Sequence, residues 1–82
     1  MGTKKDFIDF LTNVLKDNPN EEYYLTPYLQ NKLRNGRWGY HAYCLCYYND
    51  GLYARPWSGA DMYWKVNLMK LRKAELRDLI KR

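Results

Sequence analysis

The sequence predicts a small α+β domain, with helices at both ends and an antiparallel sheet between them. Three observations carry that prediction. Apolar side chains recur at spacings of three and four in residues 3–17. Tyrosine, tryptophan and cysteine crowd residues 38–57 around an Asn49-Asp50-Gly51 turn, and a leucine and lysine pattern fills residues 68–82. The 82 residues make one domain, 1–82. A chain this short buries only about 60–65% of its unfolded surface, so its core is one layer thick. A hydrophobic share of 46% and an aromatic share of 17% exclude intrinsic disorder. No apolar run reaches the ~18 residues that a membrane span needs. The N-terminal Met1-Gly2-Thr3-Lys4-Lys5-Asp6 leads into an amphipathic stretch, not the apolar segment of a signal peptide.

The expected order of elements is α-α-β-β-β-α. Thr3 caps the first helix and Asp6 completes a capping box. Phe7, Ile8, Phe10, Leu11, Val14 and Leu15 form its apolar face, and Asn18-Pro19-Asn20 stops it. Residues 21–25 read as an irregular turn. Thr26 caps a short second helix, Pro27 takes its first position and Gly36 closes it. Tyr28, Leu29 and Leu33 then face inward, leaving Gln30, Asn31 and Arg34 outward; these last are residue types that read base edges. A hairpin follows, its strands at 38–48 and 52–57. The alternation of Trp64, Val66 and Leu68 with Tyr63, Lys65 and Asn67 predicts a third strand, in preference to one long helix capped by Asp61. Asn67 caps a final helix from about Leu68 to Lys81.

A two-residue Asp50-Gly51 loop would set Tyr48 opposite Tyr53, Cys46 opposite Arg55 and Cys44 opposite Trp57. Alternation then divides the hairpin. One face carries Tyr40, Ala42, Cys44, Cys46, Tyr48, Tyr53 and Trp57; the other carries His41, Tyr43, Leu45, Tyr47, Leu52 and Ala54. The small Ala42, Cys44 and Cys46 would admit a close helix, so the first face is assigned to the helices, with Arg55 at its margin. The second then exposes His41, Tyr43 and Tyr47.

The net charge of +5 is uneven: residues 1–25 carry −2, residues 26–57 carry +3 and residues 58–82 carry +4. That polarity suits an anionic partner. Two cysteines, both on one strand face, suit a reducing cytoplasm with buried, reduced thiols rather than a secreted disulfide scaffold. Catalysis finds no support. His41 is the sole histidine and Ser58 the sole serine, strand parity separates His41 from Cys44 and Cys46, and no closing ligands complete a zinc site. Neither a metal nor a cofactor is expected.

These features favour a small, non-catalytic nucleic-acid-binding protein. Arg34, Arg37, Arg55, Lys70, Lys73, Arg77 and Lys81 would hold phosphates, the last four on one stripe of the final helix, while Tyr43 and Tyr47 stack bases. The alternative is a protein–protein module, an adaptor, subunit or inhibitor of the kind phages and mobile elements use, docking through its aromatic face. Two copies could also pair through an edge strand or the final helix. A membrane is not among the expected partners.

Overall fold

The computed structural model describes residues 2–21, 23–59 and 61–80. Helix α1 (Lys4–Asp17) starts where its cap requires. The Thr3 hydroxyl accepts the Asp6 amide at 3.2 Å, and the Asp6 carboxylate accepts the Thr3 amide at 3.4 Å. The buried stripe is narrower than the apolar pattern: Phe7, Leu11 and Leu15 are inside, whereas Phe10 is exposed.

Residues 23–25 form a strand rather than a turn. This β1 (Tyr23–Leu25) pairs antiparallel with β2 (Tyr43–Tyr48), which pairs with β3 (Gly51–Pro56), which pairs with β4 (Trp64–Lys65). The sheet thus has four strands in the order β1-β2-β3-β4, one more than expected. Helix α2 (Pro27–Leu33) joins β1 to β2, capped by Thr26 with proline in its first turn. Its inward set differs from the periodic reading. The Gln30 amide donates to the Leu25 carbonyl at 2.9 Å, which draws Gln30 into the interior, while Tyr28 stays exposed.

The hairpin turn lies one residue earlier than expected, at Asn49-Asp50. Asn49 adopts φ 58°, the left-handed conformation that asparagine tolerates best after glycine, and Gly51 is released to pair with Tyr48. The pairing becomes Cys46 with Tyr53 and Cys44 with Arg55. Moving the turn by one residue changes the register by two, so each face keeps its members. Strand β2 also starts later than expected, because residues 38–42 are irregular: Trp38 turns into the core and packs 5.0 Å from Tyr43, ring to ring.

Asn67 caps as expected, yet it opens only a 3₁₀ turn (Leu68–Lys70). Leu71 is extended and buried, and α3 (Lys73–Ile80) begins separately. The Lys4 ammonium donates to the Met69 carbonyl at 2.7 Å and the Leu71 carbonyl at 2.9 Å, oxygens that a continuous helix would give to later amides. The single helix from Leu68 is therefore interrupted.

Helices α1 and α3 cover one side of the sheet. Leu11, Leu15, Leu76 and Leu79 meet Leu25, Tyr43, Leu45, Leu52 and Ala54 there, all nearly inaccessible to solvent. The face carrying Tyr43 is thus the helix-facing one, the reverse of the sequence expectation. Charge separates the two faces: Tyr43, Leu45, Leu52 and Ala54 bury apolar surface against the helices, whereas the opposite face carries Arg55 and Lys65, whose charges a covering helix would have to desolvate. No described helix of the chain is long and apolar enough to cross a membrane.

Candidate functional site

The side of the sheet away from the helices carries Tyr24 from β1, Cys44, Cys46 and Tyr48 from β2, Tyr53 and Arg55 from β3, and Lys65 from β4. Cys44 and Cys46 are buried on this open side because larger residues flank them across the sheet: Tyr24 and Arg55 pair with Cys44, Tyr53 with Cys46. The thiols thus form the floor between taller rings.

Those rings form a connected series. Tyr63 and Tyr48 stack with centroids 3.7 Å apart and planes 8° from parallel, and Tyr53 meets Tyr48 edge-on at 5.4 Å. The Arg55 guanidinium lies 5.8 Å from the centroid of Tyr63, and the Lys65 ammonium lies 5.7 Å from that of Tyr53. Asp50, in the turn, fixes the far end. It accepts the Tyr53 hydroxyl at 2.8 Å and the Lys65 ammonium at 3.3 Å. The Tyr53 bond chiefly, then the Lys65 bond, lowers the Asp50 carboxyl below its ordinary range; Asp50 in turn raises the Tyr53 phenol.

Two adjoining clefts extend this face towards α2. One, of about 480 Å³, is bounded by Tyr24, Ala42 and Trp57, whose indole is 71% exposed. The other, of about 450 Å³, shares Tyr24 and Ala42 and reaches Asn31, Arg34, Tyr40 and His41. The two clefts meet at Tyr24 and Ala42, and across the sheet from Tyr24 the register leads through Cys44 to Arg55, which adjoins Tyr63.

The residues expected to bind nucleic acid divide between the two sides. Tyr43 is 0% exposed, so its ring is closed to a base, which corrects that half of the stacking pair; Tyr47 is half-buried against the core, on the helical side. Arg34 and Arg55 lie on the open side, and Arg37 is exposed in the loop after α2. Lys70, Lys73 and Arg77 belong to the helical side. The Lys73 ammonium bonds the Gly2 carbonyl and the Arg77 guanidinium lies 5.8 Å from the Phe7 ring. The break at Leu71 separates Lys70 from the other two, which corrects the single cationic stripe. Lys81 lies outside the described residues.

Sequence reasoning missed Tyr24, Tyr40, Tyr48, Tyr53, Trp57 and Tyr63 as surface rings. Their signal was their shared strand parity, once the large aliphatic set is assigned to the core. Among the described residues no three His, Cys, Asp or Glu side chains converge as a metal site would require. Comparison with protein-family models, with curated proteins and with solved structures finds no match to this chain.

Proposed function

We propose that this protein binds single-stranded nucleic acid along the helix-free side of its sheet. The observation that carries the reading is the series of contacting rings Tyr48, Tyr53 and Tyr63, with Arg55 and Lys65 beside them, on the same side of the sheet as the clefts lined by Tyr24, Trp57 and Arg34. Unpaired bases stack on aromatic faces whatever their identity, and interleaved cations neutralise the phosphates. Arg34 and Arg55 have no carboxylate partner among the described residues, so their charge is available to an anion. The role is non-covalent binding, without catalysis, in a reducing cytoplasm where Cys44 and Cys46 persist as buried thiols.

Fluorescence anisotropy with labelled single-stranded DNA, single-stranded RNA and duplex DNA across a salt series tests this. The expected order places single strands above duplex. Three phosphate contacts give a log–log salt slope of about −2, at roughly 0.7 per contact. The variant Tyr48→Ala with Trp57→Ala should retain the fold and lose at least tenfold in affinity, since each stacked base is worth about 1–3 kcal/mol. Unchanged affinity in that folded variant would remove the stacking role.

A second reading rests on the apolar cleft between Tyr24, Ala42 and Trp57, which would seat a side chain of a protein partner. Wild-type binding that disappears by physiological salt and ignores the form of nucleic acid favours it. A stoichiometric partner, retained after nuclease treatment and released by Trp57→Ala, is then expected.

A further inference from the structure

Resting on the proposed strand-binding role, we infer that the cleft between α2 and residues 40–42 is a single-nucleotide subsite, in which Arg34 holds a phosphate while Asn31 and His41 read the base edge. Its volume of about 450 Å³ falls within the roughly 300–1,000 Å³ typical of small-ligand sites. Pro27, Ala42 and Tyr24 give it an apolar side against which a base plane can rest.

Arg34 is held on three sides. One terminal nitrogen donates to the Asn31 side-chain oxygen at 3.2 Å, the other to the Gln30 side-chain oxygen at 3.4 Å. Its planar group also covers the Tyr40 ring, 4.6 Å from the centroid. Gln30 is itself anchored, since its amide nitrogen donates to the Leu25 carbonyl in the interior. All these partners are neutral. A guanidinium oriented by neutral acceptors keeps its full charge, and its ordering cost is met before a ligand arrives. Its buried Nε has no hydrogen-bond partner in the described structure.

The base-reading groups line the same cleft. Asn31 uses its oxygen on Arg34, which leaves its amide nitrogen as the donor it can offer a ligand. The His41 imidazole rests on Gly39, where an added methyl would come within 3.0 Å of ring atoms Cδ2 and Nε2. The glycine thus sets the position of the ring. Donors and acceptors at fixed positions discriminate bases, whereas stacked rings do not. Tyr40, 90% exposed, offers its uncovered side to the next base on the path to Trp57.

The experiment measures affinity for the four homopolymeric single-stranded DNA ten-mers, and amide shifts during titration with each of the four mononucleotides and with inorganic phosphate. The wild type should distinguish the ten-mers by at least fivefold, and mononucleotides should shift the amides of Asn31, Gly39 and Ala42. Asn31→Ala with His41→Ala should level the four affinities while leaving the salt slope intact. Arg34→Gln should weaken all four about tenfold and reduce the slope by about 0.7. Gly39→Ala, which displaces only the imidazole, should reduce discrimination without touching Arg34. If every cleft variant matches wild type while Tyr48→Ala with Trp57→Ala weakens binding, the subsite is wrong and the strand-binding role stands. If phosphate alone reproduces the mononucleotide shifts, base reading is wrong. A wild type that binds no strand overturns both.

Discussion

Tyr43→Ala is expected to destabilise the protein by about 3–5 kcal/mol, as truncation of a large buried aromatic does. That is a large fraction of the roughly 5–15 kcal/mol that holds a natural domain together. The melting temperature should fall by more than about 10 °C in a domain of this size. Tyr43 is wholly inaccessible, packs 5.0 Å from Trp38 and joins the leucines beneath both helices. Tyr43→Phe should behave oppositely. The hydroxyl is buried without a hydrogen-bond partner in the described structure, so its removal costs nothing and stabilises by roughly 1 kcal/mol. Tyr48→Ala provides the contrast: its ring is half out in solvent, so it should cost little stability and instead lower affinity for single strands. Urea and thermal unfolding of the three variants decide the matter. A Tyr43→Ala protein that melts like wild type and loses strand binding would place the ring on the open side and reverse the orientation of the sheet.

The orientation of the sheet is where the sequence was hardest to read. Strand parity separates the Cys44 set from the Tyr43 set correctly, because period two survives an error of register. Which set meets the helices depends on tertiary packing, and free cysteine's habit of being buried pointed the wrong way. Cys44 and Cys46 are buried, but by tyrosine and arginine side chains of the same sheet. The caps were legible because they are local: Thr3, Thr26 and Asn67 each accept the amide hydrogen that their position requires. Strand β1 was not, since three residues are too few to show a period. The interruption at Leu71 was invisible for another reason: Lys4, 67 residues away, bonds its carbonyl. Of the expected cations, Arg34 and Arg55 lie beside the open rings, whereas Lys73 and Arg77 are turned to Gly2 and Phe7 of the N-terminal segment by contacts that only the fold creates.

Glu75→Gln is expected to lower the melting temperature at pH 7 by roughly 10 °C, and the deficit should vanish in acid. Glu75 is 4% exposed and receives the Tyr28 hydroxyl at 2.6 Å, the Arg72 amide at 2.8 Å and the Lys32 ammonium at 2.9 Å. These donors, Tyr28 foremost, lower its carboxyl to about 2 from 4.5. A depressed carboxyl stabilises the fold fully above the unfolded value, and that contribution is lost as pH falls through the folded one. The gap between wild type and Glu75→Gln should therefore be constant above about pH 5, narrow below 4.5 and close near 2. Asp6 and Asp50 are also depressed and add to acid unfolding, but equally in both proteins, so they cancel in the difference. Tyr28→Phe removes the strongest donor, so the carboxylate loses stabilisation at higher pH than in the wild type. A gap that persists unchanged to pH 2 would mean that packing, not the charge of Glu75, joins the helices. The clamp also bears on the binding side. Tyr28 and Lys32 hold one side of α2 against α3, and the other side presents Gln30, Asn31 and Arg34 to the cleft. Loosening it should blunt base discrimination at neutral pH while leaving Tyr48 on β2, Tyr53 on β3 and Tyr63 just before β4, none of which the clamp touches, to stack as before.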